Sequence, residues 1–159
     1  PRVPGQGEIT IFNRSHYEDV VAVRVRKLAP REVWERRFAH IANFERLLVD
    51  EGTVVLKFFL HIDATEQKTR LEGRLKDPTK QWKLQASDLN DRACWNDFIK
   101  AYEEALGRTS TLQAPWYVVP ANKKWYRNVV VATIVREALD RLKPEFPPLP
   151  PELAGVANL

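Results

Sequence analysis

The hydrophobic residues of this chain follow two periodicities, which predict strands alternating with helices. Residues 7–12 form a short β-prone run after a lead rich in proline and glycine, and they end in a polar cluster. Residues 53–62 are almost continuously apolar, as expected for a strand that is covered on both faces. A last buried strand is predicted at residues 116–119. Residues 30–52 place apolar side chains at roughly helical spacing and end at a glycine, which predicts a long amphipathic helix.

Local start and stop signals delimit three further helices. Asp63 followed by Glu66 resembles a capping box, and the helix that starts there is expected to stop before Pro78. Residues 87–107 and 125–142 also carry apolar side chains at helical spacing. Strands that alternate with helices predict an α/β layer fold with a mainly parallel sheet.

Two segments are predicted to lack regular structure. The polar stretch 79–86 has no clear periodicity and is expected to form a mobile hairpin between two helices. Residues 144–159 contain five prolines and no basic residue, so this tail is expected to be extended or disordered. The predicted organisation is one domain over residues 1–143 followed by a proline-rich tail.

Composition narrows the class of protein. A chain of 159 residues with 44% hydrophobic content can bury one core, which predicts a single compact domain or the greater part of one. The formal net charge of +4 suits a polyanionic partner such as a phosphate chain, a nucleotide or a nucleic acid, and the charge alone does not choose among them.

Other classes are excluded by what the chain lacks. A single cysteine, Cys94, cannot form an internal disulfide framework and offers no zinc spacing, so a reducing cytoplasm is expected. No apolar run approaches the ~20 residues needed to cross a bilayer, which predicts no membrane span. The chain begins at Pro1 and contains no methionine, and it is therefore expected to be a fragment of a longer sequence.

Polar clusters follow the predicted strands, at the sheet edge where parallel α/β proteins bind ligands. The first cluster spans residues 13–19 and includes Asn13, Arg14 and Ser15. A guanidinium and hydroxyls at a strand end can hold phosphate oxygens through charge-assisted hydrogen bonds. The same residues also fit an ordinary helix start, with Asn13 or Ser15 as the cap and acidic residues in the first turn.

The second cluster is a basic stretch that consists of Arg70, Arg74, Lys76, Lys80 and Lys83. Arg70 and Arg74 are four residues apart, on one face of the predicted helix. Cations on a hinged hairpin can close over a phosphate chain and neutralise charge that develops during transfer. A solvated charged face is the alternative, because acidic residues dilute the stretch. Trp82, within the stretch, slightly favours a functional role.

The third cluster, Lys123, Lys124 and Arg127, follows the last predicted strand and lies next to Trp125 and Tyr126. Cations are electrostatically disfavoured at a helix amino terminus, so a functional role is favoured over a structural one. Cations interleaved with aromatic side chains also fit a non-enzymatic module that binds single-stranded nucleic acid. The three histidines have no metal-ligand spacing and are interpreted as structural or solvent-facing.

Four motifs, in order along the chain, resemble the polyphosphate kinase 2 family. They are residues 12–20 (Phe-Asn-Arg-Ser-His-Tyr-Glu-Asp-Val), 77–83 (Asp-Pro-x-Lys-x-Trp-Lys), 109–116 (Thr-Ser-Thr with Ala-Pro-Trp) and 124–127 (Lys-Trp-x-Arg). The likeness covers about residues 7–140. That family is similar in fold to thymidylate kinase, a three-layer P-loop α/β sandwich with a helical lid. It moves a phosphoryl group between inorganic polyphosphate and a nucleotide with Mg²⁺, and the first motif looks like the branch that acts on nucleoside mono- and diphosphates.

The resemblance implies a role for each cluster. It places Asn13 and Arg14 at a catalytic, Walker-B-like strand end, and it makes the hairpin a lid over about residues 64–92. The phosphate-binding side chains that it implies are Ser15, Arg70, Arg74, Lys80, Lys83, Lys124 and Arg127. It implies polyphosphate with AMP, ADP or ATP as partners, Mg²⁺ as cofactor without a metal ligand in this chain, and a homo-oligomer in the full-length form. It argues against nucleic acid and a membrane as partners.

Three departures from the family pattern stand out. Gln85 occupies a position where Ser or Asn is frequent, and Asn122 one where Asp is usual. The six glycines give no G-x-x-x-x-G-K-[ST] sequence, so the family's P-loop has no counterpart here. That loop supplies much of the positioning and charge stabilisation in phosphoryl transfer, so these residues alone are expected to turn over poorly or not at all. The missing strand is expected to leave an unpaired sheet edge and exposed apolar surface.

Overall fold

Two parallel strands and six α-helices make up residues 3–153, the part of the chain that the computed structural model describes. Strands β1 (Lys57–His61) and β2 (Trp116–Pro120) pair in parallel, from Lys57 opposite Trp116 to His61 opposite Pro120. The helices are α1 (Ala22–Val25), α2 (Arg31–Asp50), α3 (Ala64–Lys76), α4 (Ala86–Ala93), α5 (Trp95–Thr109) and α6 (Lys124–Leu142). Short 3-10 helices lie at His16–Asp19, Gln81–Lys83 and Pro151–Leu153. The predicted α/β class with a parallel sheet is confirmed.

The hydrophobic core joins α2 and α5 to the segment that contains the first 3-10 helix and α1. Its buried members are Tyr17, Val20, Val21, Trp34, Phe38, Ile41, Ala101 and Ala105. On α2, Trp34, Phe38 and Ile41 share one face, as the helical periodicity predicts. This core holds the segment that follows Arg14 against two long helices.

Local signals set the helix ends as predicted. α2 ends two residues before Gly52, whose φ of 83° lies in the left-handed region that glycine adopts readily. α3 begins after Asp63, whose carboxylate accepts a hydrogen bond of 2.7 Å from the Glu66 amide, and it ends before Pro78. The predicted helices at these two places, and the final helix, are confirmed.

Substitution of Gly52 by alanine is expected to lower the free energy of unfolding by about 1–2 kcal/mol, the cost of a left-handed conformation for a residue with a Cβ. No atom lies within 4 Å of a Cβ built at this position, so the cost comes from the backbone. Denaturation in urea measures it. Gly73→Ala in α3 is the matched control, because space is equally open there and alanine favours a helix. Equal effects at both positions would contradict the prediction.

The predicted strand at residues 7–12 is wrong. Residues 8–12 adopt no regular structure, and Ile9 and Ile11 are 74% and 88% exposed. A strand needs a neighbouring strand to take up its backbone hydrogen bonds. Within residues 3–153, the sheet consists of β1 and β2 alone, so this hydrophobic run has no strand to pair with.

The strand predicted at residues 53–62 is shorter and less covered than expected. Its sheet portion is Lys57–His61, where Leu60 is 46% exposed, and on β2 Val118 is 58% exposed. The expectation that both faces are covered is therefore wrong for the described part of the chain. The uncovered side chains agree with the expectation of exposed apolar surface on the sheet.

The single helix predicted at residues 87–107 is divided in two at Cys94. The two parts make different contacts: α4 is held by an ion pair between Asp91 and Arg26 and by Arg92, which donates to the Ala64 carbonyl at 2.9 Å. α5 instead packs into the core. Because separate partners hold the two halves, the helix axis breaks between them.

The carboxyl-terminal segment agrees with its prediction as far as the structure describes it. Residues 144–150 are exposed and adopt no regular structure, and a short 3-10 turn follows at Pro151–Leu153. The remaining residues of the predicted tail, 154–159, lie outside the described residues. Among residues 3–153, no helix is long and apolar enough to cross a membrane.

Candidate phosphate-binding site

Polar side chains lock together the carboxyl ends of the two strands. Asp63 follows β1, and Asn122 follows β2. The Asn122 side-chain amide donates to the Asp63 carboxylate at 2.7 Å, and the Asp63 backbone amide donates to the Asn122 side-chain oxygen at 3.2 Å. Hydrogen bonds from the Glu66 amide and from Asn122 hold the pKa of Asp63 below its usual value. An Asp at position 122 would lack the donor for this lock, so the departure from the family pattern has a structural use.

Arg70 clamps α3 to the loop between β2 and α6. Its Nη2 donates to the carbonyls of Ala121 at 2.7 Å and Asn122 at 3.2 Å, and its Nε donates to Glu66 at 2.8 Å. The side chain is 25% exposed. The sequence predicted that Arg70 binds phosphate, but it did not predict these contacts. They hold the basic helix α3 at the carboxyl ends of the strands.

Asn13, Arg14 and Ser15 lie in the turn before the first 3-10 helix. Ser15 caps that helix, and its hydroxyl accepts a hydrogen bond of 3.4 Å from the Tyr17 amide. Arg14 has a φ of 68° and donates to both carboxylate oxygens of Glu18 at 3.0 Å. The hydrogen bond with Glu18 raises the pKa of Arg14. The Arg14 side chain remains 67% exposed, so it is accessible to a ligand.

The turn between α3 and α4 is ordered by Asp77. Its carboxylate accepts from the amide and hydroxyl of Thr79 at 3.0 and 2.7 Å, and it forms an ion pair with Lys80. Lys83 lies over the Trp82 ring, 5.1 Å from its centroid. Trp82, 77% exposed, donates its indole N–H to the Thr79 carbonyl at 3.0 Å. The turn therefore presents an aromatic ring and two cations to solvent.

The Asp77 carboxyl is expected to titrate at about 2, because hydrogen bonds from Lys80 and then Thr79 stabilise its ionised form. Since this pKa is lowered on folding, the contribution of Asp77 to the turn is complete above the ordinary value of about 3.9 and is lost as the pH falls towards 2. NMR titration of the side-chain carboxyl measures the midpoint. In Lys80→Gln the midpoint should rise, and an unchanged midpoint would contradict the assignment.

A cleft of about 360 Å³ lies at the strand ends, beside the start of α6. Its lining includes His61, Asp63, Asn122, Lys123 and Trp125. Lys124 is the first residue of α6, and Arg127, one turn further, donates to the Asn128 side-chain oxygen at 2.7 Å. This cleft adjoins the Arg70 clamp through Asn122.

A second cleft, of about 260 Å³, lies on the other side of His61. Phe59, Trp95 and Phe98 give it an aromatic lining, with Tyr102 at its edge. Burial raises the pKa of Tyr102, and the charges of Glu18 and Arg14 also act on it.

The predicted site residues fall into three groups. Arg70 lies in contact with the strand-end loop that leads into Lys124 and Arg127. Asn13, Arg14 and Ser15 lie in the turn before the first 3-10 helix and are not among the residues that line either cleft; the two clefts share His61. Arg74, Lys80 and Lys83 sit further along the hairpin. The side chains of Arg74 and Lys124 form no hydrogen bond or ion pair with other residues in 3–153, so their charges are free for a ligand.

A buried polar network beneath the site was not predicted from the sequence. The Lys57 ammonium contacts Glu45 at 2.6 Å, the Thr109 carbonyl at 2.8 Å and the Tyr17 hydroxyl at 3.2 Å. Tyr17 donates to Glu45 at 2.8 Å, and Trp116 donates to the Thr109 hydroxyl at 3.0 Å. The sequence signals that could have predicted this network are a lysine inside an apolar strand and a glutamate on the apolar face of α2.

The residues present do not form a protein-held Mg²⁺ site. Within residues 3–153, no three His, Cys, Asp or Glu side chains are grouped to hold a metal ion. Asp63, at the strand end, already binds Asn122 and the Glu66 amide. No step is therefore assigned to a metal held by these side chains.

The open parallel sheet with helices before, between and after its strands places the chain among the α/β proteins. A family model described as "Polyphosphate kinase 2 (PPK2)" matches residues 1–147. The chain belongs to the polyphosphate kinase 2 family, as the resemblance of its motifs implied.

Named relatives and a solved structure agree with this assignment. The AMP/ADP-polyphosphate phosphotransferase of Meiothermus ruber is 55% identical over 146 residues, which cover 92% of this chain and 55% of the relative. The ADP-polyphosphate phosphotransferase of Rhodopseudomonas palustris is 37% identical over 161 residues, covering 94% and 56%. The crystal structure of polyphosphate kinase 2 from Arthrobacter aurescens TC1 has a TM-score of 0.87 at 46% identity, covering 92% and 52%.

The chain spans about half the length of the relatives it matches. The names of these three relatives all concern polyphosphate, and none supports the alternative of a nucleic-acid-binding module.

Proposed function

We propose that this chain is the phosphate-gripping part of a phosphotransferase that moves a phosphoryl group between inorganic polyphosphate and AMP or ADP. The names of the relatives supply the substrate class, and the exposed cations at the strand ends supply the chemistry. Phosphoryl transfer depends mainly on positioning and on neutralising charge spread over phosphate oxygens. Side chains that carry fixed positive charge suit that task.

The Arg70 clamp is the observation that carries this proposal. Because Arg70 binds the carbonyls of Ala121 and Asn122, α3 and the start of α6 meet at one edge of the sheet. A linear phosphate chain laid across that edge would meet Arg74 from α3 and Lys124 from α6, each without a protein partner among residues 3–153. Arg14 and Asn13 would act at the transferred group, with Ser15 beside it and Lys80, Lys83 and Arg127 along the chain.

The remaining features of the proposal come from the family resemblance. Mg²⁺ would be bound chiefly by phosphate oxygens, because such ions keep few protein ligands in phosphate sites. A lid over about residues 64–92 would close on the substrate. We further propose a cytoplasmic location and a homo-oligomeric full-length protein.

A calorimetric titration of the chain with linear polyphosphate tests the proposal. We expect polyphosphate to bind more tightly than single-stranded DNA of equal charge at matched salt, with affinity that falls as salt rises. A second assay supplies Mg²⁺, polyphosphate and AMP or ADP to the chain fused behind a relative's P-loop segment, and follows ADP or ATP. Equal or tighter binding of DNA, or no transfer by the fusion, would contradict the proposal.

A further inference from the structure

The segment that carries Arg14 is attached to the protein interior through Tyr17. Tyr17 is 5% exposed, and its ring packs edge-on against Trp116 with 4.7 Å between centroids. Its hydroxyl donates to Glu45 at 2.8 Å and accepts from the Lys57 ammonium at 3.2 Å. Because Tyr17 follows Arg14 by three residues, a displacement of this anchor is transmitted directly to the Arg14 turn.

Arg14 has little local support of its own. Its φ of 68° is unfavourable for a residue with a Cβ. Its side chain is mostly exposed and is held by Glu18, which lies together with Tyr17 in the short 3-10 helix His16–Asp19. A side chain in this situation keeps one orientation only if the segment beneath it is held in place.

We propose that Tyr17 is a positioning residue, whose buried hydroxyl, bonded to Glu45 and Lys57, fixes the turn at residues 14–17 so that Arg14 meets the phosphates of the substrate. This inference rests on the proposed function, which assigns Arg14 to phosphate. Burial raises the pKa of Tyr17, so the hydroxyl keeps its proton and remains a donor to Glu45.

A purely stabilising role for Tyr17 has a different consequence. If the hydroxyl only stabilised the fold, its removal would affect ligand binding equally whether Arg14 is present or absent. If it positions Arg14, its removal matters only while the Arg14 guanidinium is there to be misplaced. A double-mutant cycle separates the two roles, because it measures the coupling between the sites.

The experiment compares Tyr17→Phe, Arg14→Gln and the double variant by calorimetric titration with polyphosphate. Tyr17→Phe keeps the ring and the contact of 2.6 Å between Lys57 and Glu45, so it is expected to fold. We expect affinity to fall about fivefold in Tyr17→Phe and about tenfold in Arg14→Gln, with no further loss in the double variant. Tyr117→Phe, the same substitution on β2 outside the network, should leave the affinity unchanged.

Hydrogen exchange of the amides at residues 14–18 provides a readout that needs no ligand. Exchange should be faster in Tyr17→Phe and unchanged in Tyr117→Phe. Multiplicative losses in the double variant, no loss in Tyr17→Phe, or unchanged exchange would overturn the positioning role. If the wild-type chain binds no polyphosphate, the proposed function fails, and the exchange rates then decide by themselves whether Tyr17 holds the turn.

Discussion

Replacing Glu45 with alanine is expected to lower the free energy of unfolding by about 3–5 kcal/mol, because it leaves the buried ammonium of Lys57 without its carboxylate. The two side chains are 5% and 6% exposed and lie 2.6 Å apart. The alanine variant also removes the acceptor of the Tyr17 hydroxyl. Urea denaturation measures the loss. Glu103→Ala, at an exposed position of α5, is the control and should cost about 0.5 kcal/mol or less.

A double variant shows whether the charge pair is the cause. Glu45→Leu combined with Lys57→Met should recover most of the stability lost in Glu45→Ala, because an apolar pair of similar volume leaves no buried charge unpaired. If the double variant is as unstable as Glu45→Ala, the loss comes from packing and the assignment to the ion pair is wrong.

Low pH is expected to destabilise the protein through the same pair of Glu45 and Lys57. Burial alone would raise the pKa of Glu45, but His16, whose Nε2 lies 3.5 Å from the carboxylate, and hydrogen bonds from Lys57 and Tyr17 outweigh it, so the pKa lies below its usual value. A carboxyl with a lowered folded-state pKa stabilises the protein above its unfolded pKa of about 4.3 and loses that contribution as the pH falls further. The wild-type chain should therefore lose stability below about pH 4.3 more steeply than the double variant does.

Replacing Arg70 with glutamine is expected to reduce both stability and polyphosphate affinity, whereas Arg74→Gln should reduce affinity alone. Arg70 donates to the Ala121 and Asn122 carbonyls and to Glu66, and bonds from a charged donor contribute about 1.5–3 kcal/mol each. Its loss should lower the free energy of unfolding by about 2 kcal/mol, which is less than the sum of the three bonds because the side chain is partly exposed and water replaces part of what is lost. It should also weaken polyphosphate binding about tenfold, because α3 is no longer clamped at the strand ends.

Arg74 is the matched control, four residues further along the same helix. Its side chain forms no hydrogen bond or ion pair with other described residues, so Arg74→Gln should leave the unfolding curve unchanged. Its affinity for polyphosphate should still fall about tenfold, with a shallower dependence on salt. Urea denaturation and calorimetric titration of both variants measure the contrast. Equal losses of stability in the two variants would show that the clamp does not act as described.

The elements that the sequence predicted well carry their signals within a few residues. The carboxylate of Asp63 caps α3 three residues away, Pro78 ends the same helix, and Gly52 follows α2. The resemblance of the motifs also led to the family, because it depends on which residues follow one another along the chain and not on their distances in space. The division of the predicted helix at Cys94 was missed, because no local signal shows that Asp91 pairs with Arg26 or that Arg92 donates to the Ala64 carbonyl.

The candidate site was predicted in its chemistry but not in its contacts. Arg14 and Lys124 were predicted as cations at strand ends and Arg70 as a cation of the hairpin, and the structure places Arg70 and Lys124 near the carboxyl ends of the strands. The clamp made by Arg70 could not be foreseen, because its acceptors are main-chain carbonyls about 50 residues away. The convergence of all these cations on one phosphate chain stays a prediction.

By itself, the sequence determined the alternation of β1 and β2 with helices, the ends of α2 and α3, the basic character of the hairpin and the family. Each of these depends on periodicity or on neighbours along the chain. Only the tertiary structure decided that residues 8–12 stay outside the sheet, that Lys57 pairs with Glu45 and that Arg70 joins two elements. These outcomes depend on which groups come together in space. A strand needs a partner strand and a buried charge needs a counter-charge, but the local sequence does not show which residue will provide either.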